Sequence, residues 1–135
     1  MCESQIQQPI VFHATMNDYF NPIGENQILV YDSLITNIGM AYDQYNGLFK
    51  APYDGLYQFI ATSWSTDGHY LQFEIVQNNQ DICYGRAGTH DQSMGICAAI
   101  VELSRGDKVW VRHQGTRGDY AVGKYYPSFA GHLIL

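Results

Sequence analysis

Residues 55–85 read GLYQFIATSWSTDGHYLQFEIVQNNQDICYG, and the way this stretch is punctuated decides the class of fold. In YLQFEIV, Leu71, Phe73 and Ile75 fall on one side of an extended chain, with Gln72 and Glu74 on the other. A period of two marks a half-buried strand. Asp67-Gly68 stands between two alternating runs and predicts a tight hairpin. Asn78-Asn79 predicts a second, because asparagine tolerates positive φ.

The same texture continues outward. IVFHATM, ILVYDSLI, GICAAIVEL, DKVWVRH and SFAGHLIL are further short apolar runs, and no window holds a helical stripe. Many short strands joined by hairpins and loops predict an all-β sandwich or jelly roll. Such folds expose edges and apolar outer faces that invite association.

The bulk numbers agree with a single globular unit. A chain of 135 residues is the size of one domain. We read residues 1–8 as an N-terminal tail and 9–135 as the domain. Aromatics reach 14%, led by eleven tyrosines, against only 15% charged residues. The net charge of -6, with no local Lys/Arg cluster, argues against nucleic acid as a partner. No stretch approaches the roughly 18 apolar residues of a membrane span. The opening MCESQIQQP lacks the apolar run of an intact signal peptide, which leaves an intracellular chain or a removed signal.

Enzyme chemistry finds no foothold. His13, His69, His90, His113 and His132 are dispersed, and no Gly-x-Ser-x-Gly, His-Glu-x-x-His or phosphate loop occurs. His113 and His132 fall in predicted strands, where hydrogen-bonded structural roles are expected. Cys2, Cys83 and Cys97 form no Cys-x-x-Cys and no zinc-finger spacing. Cys83 and Cys97 sit near the ends of two strands that flank one loop. In a secreted protein they would form a disulfide; otherwise they are buried thiols on different sheets.

Two Arg-Gly-Asp tripeptides occur, at 105–107 and 117–119. The first lies between AAIVEL and KVWV. There Gly106 supplies the positive φ of a turn, and Asp107 bonds the turned backbone. The second lies in the long connection before the last strand, where it can project.

From Tyr31 to Phe59 the spacing becomes specific. Tyr31, Asn37, Tyr42, Phe49, Gly55, Tyr57 and Phe59 are separated by five, four, six, five, one and one residues. This pattern resembles the signature of the globular head domain of complement component 1q, a relative of the tumour necrosis factor jelly roll. The family opens the pattern with Phe where this chain has Tyr31. GLFKAPYDGLYQF, GDKVWV and SFAGHLIL are similar to further family landmarks. The resemblance implies an antiparallel ten-stranded jelly roll, a homotrimer, and a secreted recognition module of the collagen-less kind abundant in invertebrates such as molluscs. It implies a lectin of innate immunity for carbohydrates or microbial surface molecules. The alternative is a signalling or adhesion ligand for a protein receptor.

The residues suited to ligand are loop-borne. Arg117, Asp119, Tyr120, Lys124, Tyr125 and Tyr126 cluster in TRGDYAVGKYYPS, and His90, Asp91 and Gln92 in THDQS. Aromatic faces stack on sugar rings, while amides, carboxylates and guanidinium groups bond hydroxyls. Tyr125 and Tyr126 could equally cover the core edge or a subunit seam. Asn17 to Pro22 forms a further aromatic loop. Several relatives hold calcium in the loop that here reads CYGRAGTHDQSMG. The resemblance makes Asp91, with Gln92, the candidate ligand, but Gly85 and Arg86 stand roughly where relatives carry a second acid.

Overall fold

The computed structural model describes residues 8–17, 20–65, 70–88, 93–114, 119–121 and 127–135. Within them every regular element is a strand: β1 Val11–Thr15, β2 Phe20–Ile23, β3 Ser33–Ile38, β4 Phe49–Lys50, β5 Gly55–Trp64, β6 Leu71–Gln77, β7 Gln80–Ala87, β8 Met94–Leu103, β9 Lys108–His113, β10 Asp119–Ala121 and β11 Ser128–Leu133. No helix among them is long and apolar enough to cross a membrane. Nine strands build two antiparallel sheets, ordered β3-β1-β11-β5-β8 and β4-β9-β6-β7, and β10 and β2 pair as a ribbon. The expected jelly-roll class is observed with nine strands in its two sheets rather than ten. Residues 27–29 run beside β9 without forming a full strand: Leu29 N donates to Val111 O at 2.8 Å and His113 N to Gln27 O at 2.8 Å.

Alternation builds the core. Phe12 and Ala14 from β1, Tyr57, Phe59 and Ala61 from β5, and Phe129 from β11 face inward, where Leu71, Phe73 and Ile75 of β6 meet them from the other sheet. The Phe12 ring stacks on Tyr42 at 4.8 Å, meets Phe129 edge-on at 4.9 Å and lies 5.4 Å from Phe49. Offset and edge-on pairs of this kind add to the hydrophobic gain of burial. The tyrosine at the first signature position has a physical reason. Tyr31 is fully buried, and its hydroxyl donates to Thr62 O at 3.1 Å and shares a 3.0 Å bond with Ser63 Oγ. Tyr42 closes the network by donating to Tyr31 O at 2.8 Å. Burial pushes both phenols well above their ordinary range.

The sandwich has two open flanks, and each is closed differently. On one, β7 and β8 belong to different sheets and are joined by the Cys83–Cys97 disulfide, with Cα atoms 5.8 Å apart. The two cysteines therefore staple the sheets together instead of standing apart as thiols. Gly95 lets β8 approach there, because an added Cβ would lie 2.5 Å from the Arg86 carbonyl carbon. On the other flank, residues 43–48 wrap between β3 and β4, held by Asp43 N to Leu48 O at 2.9 Å.

The Asn78-Asn79 hairpin is observed, with φ of 48° and 74°. The Asp67-Gly68 hairpin lies outside the described residues. One expectation is corrected. Glu74 alternates with the core positions as predicted, but it is buried, with its carboxylate accepting from Arg112 Nε at 2.7 Å across β6 and β9. Val76 and Trp110, a cross-strand pair on the same outer face, are also buried.

The first Arg-Gly-Asp is a built turn. Gly106 has φ +93°. Asp107 accepts from Ser104 N at 2.8 Å and from Asn78 Nδ2 at 3.0 Å, and these bonds hold its carboxyl below the usual range. Arg105 N donates to Asp54 Oδ1 at 2.7 Å. No heavy atom lies within 4 Å of a Cβ built on Gly106, so a substitution there tests backbone strain without a clash. Gly106→Val should cost more than about 1 kcal/mol in urea unfolding. An unchanged midpoint would contradict the turn.

Candidate functional site

The residues chosen from sequence for ligand binding fall on loops, and the strands decide where those loops begin. His90, Asp91 and Gln92, and Arg117, Lys124, Tyr125 and Tyr126, lie outside the described residues, as do Asp18 and Tyr19 of the aromatic loop. Their flanking residues are described. Ser65, after β5, donates from its hydroxyl to Gly88 O and from its amide to Ser93 O at 3.1 Å. The stems of segments 66–69 and 89–92 are thereby tied side by side. Gln114 N donates to Gln72 O at 2.9 Å, which sets the start of segment 115–118 beside the beginning of β6. Ser128, after segment 122–126, pairs with Thr62 near the end of β5 and with Thr15 near the end of β1. Every one of these stems therefore issues from one end of the sandwich.

Asp119 and Tyr120 are placed more specifically. Both belong to β10, where Asp119 pairs with Ile23 of β2. Part of the long connection is thus extended ribbon rather than free loop, and Phe20 to Pro22 of the aromatic loop form its other strand. The first Arg-Gly-Asp lies away from these stems, and of the second only Asp119 is among the described residues. The turn at 105–107 packs with Ala51, Asp54 and Asn78, away from the stems of the ligand loops.

The outer face of the five-stranded sheet forms a second surface. Register sets His13, Ala130, Ile60 and Ala98 in one row, Ser128, Thr62 and Ile96 in the next, and His132, Gln58 and Ile100 on the other side. None of these is Asp, Glu, Lys or Arg. Ile60, Ile96 and Ile100 are 40%, 57% and 61% exposed. Three isoleucines in a patch without formal charge, bordered on the same face by the exposed Glu102 opposite Leu56, have the composition of an interface core. This face was legible only in outline, because alternation marks outward residues but register is needed to align them.

Among the described residues no group of three or more His, Cys, Asp or Glu side chains could hold a metal ion. The histidines that sequence placed in strands are found in β9 and β11. His113 is fully buried, with Nδ1 2.8 Å from Gly24 O.

Comparison with known proteins decides the family. The C1q domain model matches residues 11–134. The chain belongs to the C1q-domain family. Its sequence is 29% identical to Caprin-2 of Danio rerio over 95% of this chain and 14% of the relative. It is 28% identical to Complement C1q tumor necrosis factor-related protein 3 of Homo sapiens over 93% of this chain and 51% of the relative. The C1q domain described here thus spans about half, or less, of the length of these relatives. In fold it is similar to the globular domain of zebrafish complement 1qA protein (TM-score 0.73, 16% identity, 93% of this chain and 98% of that one). It is also similar to the Eiger TNF of S. frugiperda (TM-score 0.72, 15% identity, 96% and 94% covered).

Proposed function

We propose that this C1q domain is a secreted recognition module of innate immunity. It assembles as a homotrimer and binds carbohydrates or microbial surface molecules through Arg117, Asp119, Tyr120, Lys124, Tyr125, Tyr126, His90 and Gln92. The observation that carries this reading is the convergence of the loop stems at one end of a rigid sandwich. Loops positioned by a scaffold are where binding residues concentrate. The apolar outer face of the five-stranded sheet supports the assembly, since three copies sharing such faces would bury what one copy exposes. The reading is of a binding module without catalysis. Calcium held by Asp91, with other oxygen ligands from the same loop, is proposed as an aid to ligand capture.

A second reading has its own support. Similarity to Complement C1q tumor necrosis factor-related protein 3 and to TNF folds suits a signalling or adhesion ligand for a protein receptor. A glycan array separates the two. Discrete sugar hits that disappear in Tyr125→Ala, with the melting temperature kept, support recognition by the loops. A silent array with saturable binding to cells or receptor ectodomains favours the second reading. Running the array with calcium and again with a chelator tests Asp91, because hits that survive chelation remove its metal role.

A further inference from the structure

Away from the loop stems, a groove follows the flank between β3 and β4 and continues to the Arg105 turn. Its largest part, of about 580 Å³, is lined among others by Met40, Asp43, Tyr45, Lys50 and Lys108. Met40 and Lys50 also line the next depression, which reaches Arg105, and Arg105 lines the one after that, beside Tyr53 and Asp54. Three of the chain's seven Lys and Arg residues thus share one continuous groove, although the net charge is -6.

The placement of two of them is costly. Lys50 and Lys108 are direct cross-strand partners on β4 and β9. Like charges directly opposite one another destabilise a sheet. Neither has an acid to offset this: among the described residues the ion pair found is Arg112 with Glu74, elsewhere on β9. Two carboxylates in the groove accept from backbone amides and keep their charge, so its three cations outnumber its acids by one. Asp43 Oδ1 accepts from Tyr45 N at 2.8 Å, and Asp54 Oδ1 from Arg105 N at 2.7 Å. The backbone is strained at the same place, because Met40 follows Gly39 at φ 55° while remaining 85% exposed. Positive φ in a long unbranched residue is uncommon, and such strain concentrates at binding sites.

We infer that this groove binds an anionic polysaccharide, whose carboxylate or sulfate groups bridge Lys50 and Lys108 and reach Arg105. Tyr45, 87% exposed at the rim, offers a ring face for a sugar. Single-stranded nucleic acid fits less well, since it needs a succession of stacking rings along a basic track and this groove offers one exposed ring. The site is separate from the loop site and does not depend on it.

The test uses the full chain and biolayer interferometry with dextran sulfate, polygalacturonate, neutral dextran and an oligo(dT) strand. The parent should bind at least one anionic polysaccharide and not dextran. The Lys50→Gln/Lys108→Gln double variant should lose about tenfold or more in affinity, and Arg86→Glu, which changes the net charge equally on another strand, less than about threefold. Tyr125→Ala should leave this binding intact, so failure of the loop site and failure of the groove are distinguishable. No binding to either polyanion, equal losses in the two charge-matched variants, or tighter binding of oligo(dT) would each overturn the inference. Circular dichroism on each variant confirms that the fold is kept; if the double variant unfolds, Lys108→Gln and Arg86→Gln, each lowering the net charge by one, take the places of the two variants under the same criteria.

Discussion

Phe12→Ala is expected to lower unfolding stability by about 3–5 kcal/mol, as large-to-small changes of core aromatics do. Phe12 is 1% exposed and touches the rings of Tyr42, Phe49, Phe59 and Phe129. Those rings come from β4, β5, β11 and the segment after β3, so no single strand can move to fill the space. The loss combines removed apolar burial with a cavity that a stiff sandwich cannot collapse. Urea unfolding at one fixed protein concentration is the appropriate measurement, because the proposed self-association would contribute to apparent stability. A loss below about 1 kcal/mol would mean that the aromatic cluster does not hold the sheets together.

Removing the Cys83–Cys97 bridge is expected to cost about 3 kcal/mol, the loop-closure value for a ring of this size. The sequence separation is 14. The bridge also has a specific task, since it ties edge strands of different sheets where Gly95 already brings β8 close to the β7 backbone. The Cys83→Ala/Cys97→Ala variant should therefore melt early, and its first loosening should be at the β7–β8 flank. Hydrogen exchange at Ala87 and Gly95 reports that flank. Two freely alkylated thiols at these positions in the unreduced protein would contradict the pairing.

How much was legible follows from which residues carry local information. Leu71, Phe73 and Ile75 announce their strand by alternation, and Asn78-Asn79 its turn, because both signals lie within a few residues. Gly106 and Asp107 were readable as a turn for the same reason. The position of Glu74 was not. Alternation says which side a residue faces, but not that Arg112, 38 residues away, will meet it there. The Lys50–Lys108 pair was likewise invisible, since only the β4–β9 register sets these residues opposite one another. Tyr31 could be recognised as a departure from the family pattern, and Ser63 and Thr62 supply the reason. The candidate loops were chosen by composition and, for Asp91, by the family resemblance. Their common origin at one end emerges only from Ser65, Gln114 and Ser128, none of which carries a binding signal of its own.

The proposed assembly rests on the outer face of the five-stranded sheet, and sedimentation velocity tests it directly. The parent chain at micromolar concentration should sediment as a trimer of the 15.3 kDa subunit. Ile60→Asp/Ile96→Asp places two charges in the uncharged patch of this face without touching the core, and should sediment as a folded monomer with its circular dichroism unchanged. A parent that is monomeric at micromolar concentration, or a double variant that remains trimeric, would contradict the account.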